Sequence, residues 1–251
     1  MTDLTARPEG ASAGSRTLES ELDVSALVGA SSGEPVVLVD PPLTPALRAQ
    51  LVDMWVRVTN AGGAVGFVPP VAAEDVLPTA ERSFARVAAR EDTLVCLAVP
   101  ADAASEPATE GGVRGAEGDG AALAAVNGTA ASASANEAVD YRVIGWLLLA
   151  ESESHLRRHW RTVYRVQVDP DWQGGGLGRR LMADAAKVAR DQLGLEALTL
   201  MTRGGTGAES FYLRCGYREV GRIPGAIRVR PGDDRDEVHF WLDLGPDDAT
   251  A

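Results

Sequence analysis

Between Val166 and Leu181 the chain reads Val-Gln-Val-Asp-Pro-Asp-Trp-Gln-Gly-Gly-Gly-Leu-Gly-Arg-Arg-Leu. An alternating strand end runs into a glycine-rich turn. Apolar residues then recur at Leu177, Leu181, Ala185, Val188 and Ala189, the spacing of one helix face. Glycines at a helix start leave several backbone N–H groups unpaired and unshielded, at the positive end of the helix dipole. A strand–turn–helix of this kind is a receptor for phosphate or pyrophosphate.

Two familiar phosphate loops fail on a required residue. A P-loop ends in Gly-Lys followed by Ser or Thr, where this chain has Arg179, Arg180 and Leu181. The dinucleotide fingerprint Gly-x-Gly-x-x-Gly, counted from Gly174 and Gly176, puts Arg179 at its third glycine. The pattern that fits is Gln-x-x-Gly-x-Gly, formed by Gln173, Gly176 and Gly178 after a Val-x-Val-x-Pro strand end. This stretch resembles the acyl-CoA-binding motif of the GNAT superfamily of N-acetyltransferases. The resemblance implies acetyl-CoA as cosubstrate and no metal. It assigns cofactor binding to Val166, Gln167 and Val168 on the strand and to Gln173, Gly174, Gly175, Gly176, Leu177, Gly178 and Arg179 on the turn. The turn's N–H groups would take the pyrophosphate, with charge added by Arg179 and Arg180. The free edge of strand 161–168 would pair with the amides of pantetheine as a peptide adds to a sheet.

A second constellation, Ala208-x-x-Phe-Tyr-x-x-x-Gly-Tyr217, resembles the second GNAT signature, in which the tyrosine after phenylalanine meets the departing sulfur. That role falls on Tyr212, whose phenol could act as a general acid. Thr206 and Glu209 have capping-box spacing, so a helix is expected from about Gly207. Gly205 stands where many GNAT sequences carry asparagine. Amine attack needs a group to remove a proton, and the candidates are Glu151, His155 and His159. His159 is preferred to Glu151 for its ordinary pKa near 6.5. More loosely, segment 60–67, His159, segment 202–212 and Gly221–Gly225 resemble the tabtoxin-resistance type of small-molecule acetyltransferase.

The fold expected is an α/β GNAT-type mixed central sheet, in the order β-α-α-β-β-β-α-β-α-β-β, with helices on both faces. Thr44 and Pro45 mark the N-terminus of the first helix, which runs to about Asn60; a second helix covers 73–90. Strands are expected at 35–40, 93–99, 141–150, 161–168, 195–201, 217–222 and 237–244. Segment 60–70 is placed to close over the site. Residues 1–33 and 101–139 are rich in Ala, Gly, Ser and Glu, with too little apolar surface to offset the entropy of ordering. They read as a disordered N-terminal tail and a disordered insertion within an acetyltransferase domain spanning 34–245; residues 246–251 read as a C-terminal tail.

The net charge is −12, and Lys187 is the single lysine. An acidic chain without a basic tract argues against nucleic acid or an anionic membrane as partner. Two cysteines, Cys96 and Cys215, are too few for a disulfide framework. No basic-then-apolar leader and no membrane-length apolar stretch occur, so a cytoplasmic protein is expected. The implied reaction is transfer of an acetyl group to a primary amine of a small molecule, by direct attack in a ternary complex. A homodimer is one assembly this allows. The alternatives are a protein N-terminal or lysine acetyltransferase, and a non-catalytic acyl-CoA-binding regulatory module.

Overall fold

The computed structural model describes residues 34–101 and 141–245. The expected N-terminal tail, all but the first residue of the expected insertion, and the C-terminal tail lie outside them. The elements run β1 (Val36–Val39), α1 (Pro45–Asn60), α2 (Ala73–Ala88), β2 (Asp92–Pro100), β3 (Tyr141–Ala150), β4 (Trp160–Val168), α3 (Leu177–Lys187), β5 (Ala197–Arg203), α4 (Ala208–Arg214), β6 (Arg218–Arg230) and β7 (Asp233–Asp243). The order is the expected one. The strands form a seven-stranded sheet, β1-β2-β3-β4-β5-β7-β6, in which only the β4–β5 pair is parallel.

Strand β2 explains the layering. Eight of its nine residues are buried, and its side chains alternate between two cores. Val95, Leu97 and Val99 join Leu181, Met182 and Ala185 of α3 on one face. Leu94 and Cys96 join Leu47, Leu51, Met54, Trp55 and Val58 of α1 and Val76 and Phe84 of α2 on the other. A strand apolar on both faces needs a layer on each, and the period of 3.6 residues in α1 and α3 supplies those layers. Thr44 caps α1 as expected, its hydroxyl accepting from the Leu47 N–H at 3.2 Å, with Pro45 at the first helical position. Cys96 is fully buried and behaves as a small hydrophobe.

The boundaries depart from expectation at the C-terminal end. Strands β6 and β7 extend well beyond 217–222 and 237–244 into a long ribbon that closes at residues 231–232. Both faces of that extension meet solvent, so it lacks the apolar alternation that marks a half-buried strand. Its pairing is carried instead by charge: Arg228 opposes Asp234 in register, with hydrogen bonds of 2.7 and 2.8 Å. Strand β5 starts at Ala197, not at Leu195. The chain after α3 first makes a π turn over 188–192 and turns through Gly194 at φ 63°.

Two features place the site. Strands β4 and β5 pair only at Trp160–Ala197, Arg161–Leu198 and Thr162–Thr199 and then part, which leaves the β5 side of residues 163–168 unpaired. Arg165, at φ 58°, turns the strand at this opening. The ends of β2 and β3 stay together, with Pro100 opposite Tyr141. Joining Pro100 to Tyr141 through a four-residue turn is therefore expected to leave the fold intact. In the chain-entropy limit, shortening a loop tenfold stabilises by about 2 kcal/mol at most. A thermal melt of the shortened protein should match or exceed that of the parent, and a lost cooperative transition would show that residues 102–140 hold the fold together.

Candidate active site

The turn after β4 is anchored beneath its surface. Asp169 is completely buried, and its carboxylate accepts from Arg57 Nη1 at 2.8 Å, Arg57 Nη2 at 2.6 Å, Arg142 Nη2 at 2.9 Å and the Asp171 N–H at 3.1 Å. Burial raises its pKa, but the bonds from Arg57, Asp171 and Arg142 outweigh burial and hold the carboxyl below its ordinary range. Arg57 lies on α1 and Arg142 on β3, so one carboxylate ties helix and sheet to the turn. Above it, Gln173 Nε2 donates to the Val168 carbonyl at 3.0 Å. Gly174 and Gly176 take φ of 92° and 81°, values that a side chain would strain. The first helical bond of α3 runs from the Arg180 N–H to the Gly176 carbonyl. The N–H groups of residues 174–179 have no partner among the described residues. Six successive free donors at a helix N-terminus form an anion cradle. Gly178 serves a different need, since a β-carbon there would press to 3.3 Å on the Phe211 ring.

Two cavities meet at Tyr212. The larger, about 590 Å³, is lined by every expected cofactor residue except Gly175, together with Phe211, Tyr212 and Arg214. The smaller, about 380 Å³, lies between segment 64–68, the open part of β4, and β5, β6 and β7. Ala64, Val65, Val166, Thr202 and Tyr212 line both. Residues 62–68, within the segment 60–70 expected to close over the site, line one or both cavities. Asn60 grips Val71 at its base through two hydrogen bonds of 2.9 Å, and the Val65 carbonyl accepts from Trp55 Nε1 at 3.0 Å.

Tyr212 packs edge-on against Phe211 and Tyr217 and tilted on Phe240. Its hydroxyl has no hydrogen-bond partner among the described residues and is left to the cavities. Burial, assisted by Cys215, pushes its pKa up to about 12, so the phenol keeps its proton at neutral pH. The expected capping box is not formed. Gly207, at φ 81°, is the N-cap of α4, and Glu209 instead accepts from the Gly205 N–H at 3.0 Å.

None of the expected proton acceptors lines the two joined cavities, although the depression beside Glu151 shares Tyr164 and Arg165 with the smaller one. His159 precedes β4 and is exposed at the end of the strand remote from the turn; six residues at about 3.3 Å each separate Trp160 from Val166, roughly 20 Å. It lines a separate depression with Arg190, Glu196 and Trp241. Glu151 faces a third depression with Arg86, Asp92 and Glu153, where its carboxylate accepts from Arg161 Nη2 at 3.2 Å. His155 sits exposed in a 3-10 turn. Among the residues lining the smaller cavity the carboxylate is Glu237, whose Oε1 is 2.9 Å from His239 Nε2. Sequence reading missed it, as it missed Arg165, Arg203 and Arg228 in the same wall. The available signal was the alternation Glu237-Val-His239-Phe-Trp241, whose polar members share one face. Cys215 lies outside both cavities, beside Arg179 and Arg214. Burial raises its thiol pKa and the two arginines only partly offset this.

Residues 135–219 match the family model of the acetyltransferase (GNAT) domain. The fold is that of the GNAT acetyltransferases. The matched stretch holds the glycine turn and Tyr212 and ends before β7. The structure of yncA from Salmonella typhimurium with its cofactor acetyl-CoA superposes with a TM-score of 0.53 at 15% identity, covering 86% of this chain and 98% of that one. Among curated proteins, the tRNA uridine(34) acetyltransferase of Dehalococcoides mccartyi is 43% identical over 54 residues, and the mycothiol acetyltransferase of Salinispora arenicola is 34% identical over 87. These matches cover 22% and 29% of this chain, and only 11% and 28% of the two relatives.

Replacing Asp169 by Asn would leave Arg57 and Arg142 facing a neutral amide, a loss of about 3 kcal/mol at pH 7. Because the folded carboxyl titrates below its unfolded value near 3.9, its contribution is complete above that value and disappears as pH falls through the folded one. Urea unfolding should show a gap between parent and Asp169→Asn that is constant from pH 7 to about 5 and closes in stronger acid. A gap already closing near neutral pH would contradict this placement.

Proposed function

We propose that this chain is an acetyl-CoA-dependent N-acetyltransferase that acylates the primary amine of a small molecule by direct attack in a ternary complex. The observation that carries the reading is the pair of cavities joined at Tyr212, one beginning at six free N–H groups and the other holding a carboxylate. The resemblance of segments 60–67 and 202–212 to the tabtoxin-resistance type supports a small acceptor, as does the limited size of the second cavity.

The residues fit acetyl-CoA. The glycine cradle and Arg179 would hold the pyrophosphate, and the unpaired backbone near Val166 would align the pantetheine arm. Bound there, the cosubstrate supplies an activated acetyl carbonyl at the junction. The amine nitrogen forms a bond to the carbonyl carbon, the carbon–sulfur bond breaks, and the sulfur leaves with the electron pair. Glu237 binds the incoming ammonium and takes one proton, directly or through water, to free the nitrogen lone pair; the second N–H proton is lost as the amide forms and passes to the departing sulfur or to solvent. A phenol near 12 holds its proton more tightly than a thiol of ordinary pKa about 8.5. Complete transfer from Tyr212 is therefore uphill, and its hydroxyl serves chiefly as a hydrogen-bond donor to the developing thiolate. The raised thiol of Cys215 and its place outside the junction favour direct attack over an acyl-enzyme.

Gly176→Asp should weaken acetyl-CoA binding by on the order of tenfold or more, by setting a carboxylate at the anion cradle and a side chain at positive φ. Calorimetry giving equal affinities would remove the cofactor assignment. Tyr212→Phe keeps the ring and deletes the donor. Acetyl-CoA affinity should hold while kcat falls about a hundred- to a thousandfold, as for loss of one donor to developing charge. A kcat within two- or threefold of the parent, where chemistry limits the rate, would reduce Tyr212 to packing.

A further inference from the structure

Arg165 is held in the smaller cavity at a conformational cost. A long side chain at φ 58° is disfavoured, yet the turn at this residue directs its guanidinium under segment 64–68. There it lies 4.7 Å from the centre of the Trp55 ring and donates to the Val65 carbonyl at 3.0 Å. Gly66, at φ 101°, leaves room beside it, since a β-carbon there would displace the guanidinium. No carboxylate pairs with Arg165 among the described residues, and burial depresses its pKa, with only Tyr164 opposing. A desolvated cation without a counter-ion is costly in a finished interior. Arg203, in the same wall, stands opposite Glu237 in the β5–β7 register and near Asp233, but its guanidinium makes no hydrogen bond among the described residues. Arg228, the third arginine there, is neutralised by Asp234. The cavity thus presents one guanidinium with no carboxylate partner, Arg165, a second with unused donors, Arg203, and one carboxylate, Glu237, inside a chain whose net charge is −12.

The geometry points to an acceptor that carries an oxyanion as well as its amine, with Arg165 and Arg203 as the oxyanion receptor and Glu237 facing the ammonium. Guanidinium groups recognise carboxylates and phosphonates through paired N–H donors, so both are candidate oxyanions. The cavity of about 380 Å³ limits the acceptor to the size of an amino acid or a short relative of one. This inference rests on the acetyl-transfer reading and narrows it to zwitterionic amines.

The test is a panel matched in chain length: amino carboxylates, aminoalkyl phosphonates, neutral monoamines and a polyamine. Each is assayed for CoA release with the full chain and, separately, for binding by calorimetry in the presence of CoA. Oxyanion-bearing amines should be preferred in kcat/KM by about tenfold to a hundredfold, the carboxylate and phosphonate arms showing which oxyanion fits. Arg203→Gln should remove most of that preference through KM, and Arg203→Lys should restore part of it. Arg165→Lys, which keeps the charge and loses the fork, should reduce the preference likewise, with a thermal melt confirming that it is folded. Acetylation without preference for an oxyanion would overturn the inference and leave the transfer reading standing. Oxyanion-selective binding with no acetylation of any amine would do the reverse. Binding of none of the panel, or a loss of acetyl-CoA affinity in Arg203→Gln as large as the loss for the amine, would also overturn it.

Discussion

The buried carboxylate of Asp169 is the contact on which the remaining geometry depends. It sits where β4 ends and the glycine turn begins, and it gathers Arg57 from the helical layer and Arg142 from the neighbouring strand. A turn made largely of glycine has little stiffness of its own, since glycine loses more freedom on folding than any other residue. Fixed from below by charge-assisted bonds, the same turn can leave its upper N–H groups unsatisfied without collapsing onto a protein carbonyl. Rigidity below and unsatisfied donors above are two halves of one arrangement.

The parting of β4 and β5 is the second constraint. A sheet continuous across these strands would have spent the backbone groups of residues 163–168 on a neighbour. Because parallel pairing stops at Thr162, that backbone edge is open at the height of the helix N-terminus, and Tyr212 reaches the same level from α4. The proposed cofactor side is therefore built from backbone more than from side chains. The proposed acceptor side is built from six separate stretches of chain.

That difference decides what could be read from the sequence. The glycine turn, α3 and Tyr212 are local: Gln173, Gly176 and Gly178 lie within one turn of the helix that they begin, and period and glycine spacing report them directly. The two-sided burial of β2 was equally legible in Leu94–Val99. The acceptor wall was not. Glu237, Arg203 and Arg165 come together only after β5 inserts between β4 and β7, and no short window contains them. His159 looked near the site because it directly precedes β4 in sequence, whereas Glu151, at the end of β3, faces a depression that borders the smaller cavity at Tyr164 and Arg165. A strand carries its two ends far apart, so proximity to its beginning meant distance from the turn at its other end. The β6–β7 ribbon was read as too short because its pairing rests on Arg–Asp contacts in water rather than on apolar alternation.

Ala64, Val65, Val166, Thr202 and Tyr212 are walls of both cavities. Two ligands that share a partition are coupled to the extent that the partition moves: fixing it for one alters the conformational freedom left for the other to remove. The coupling is reciprocal, so an amine that tightens segment 64–68 must raise the affinity for acetyl-CoA by the factor through which acetyl-CoA raises its own. On the proposed reading, segment 64–68 is a communicating element as well as a cover.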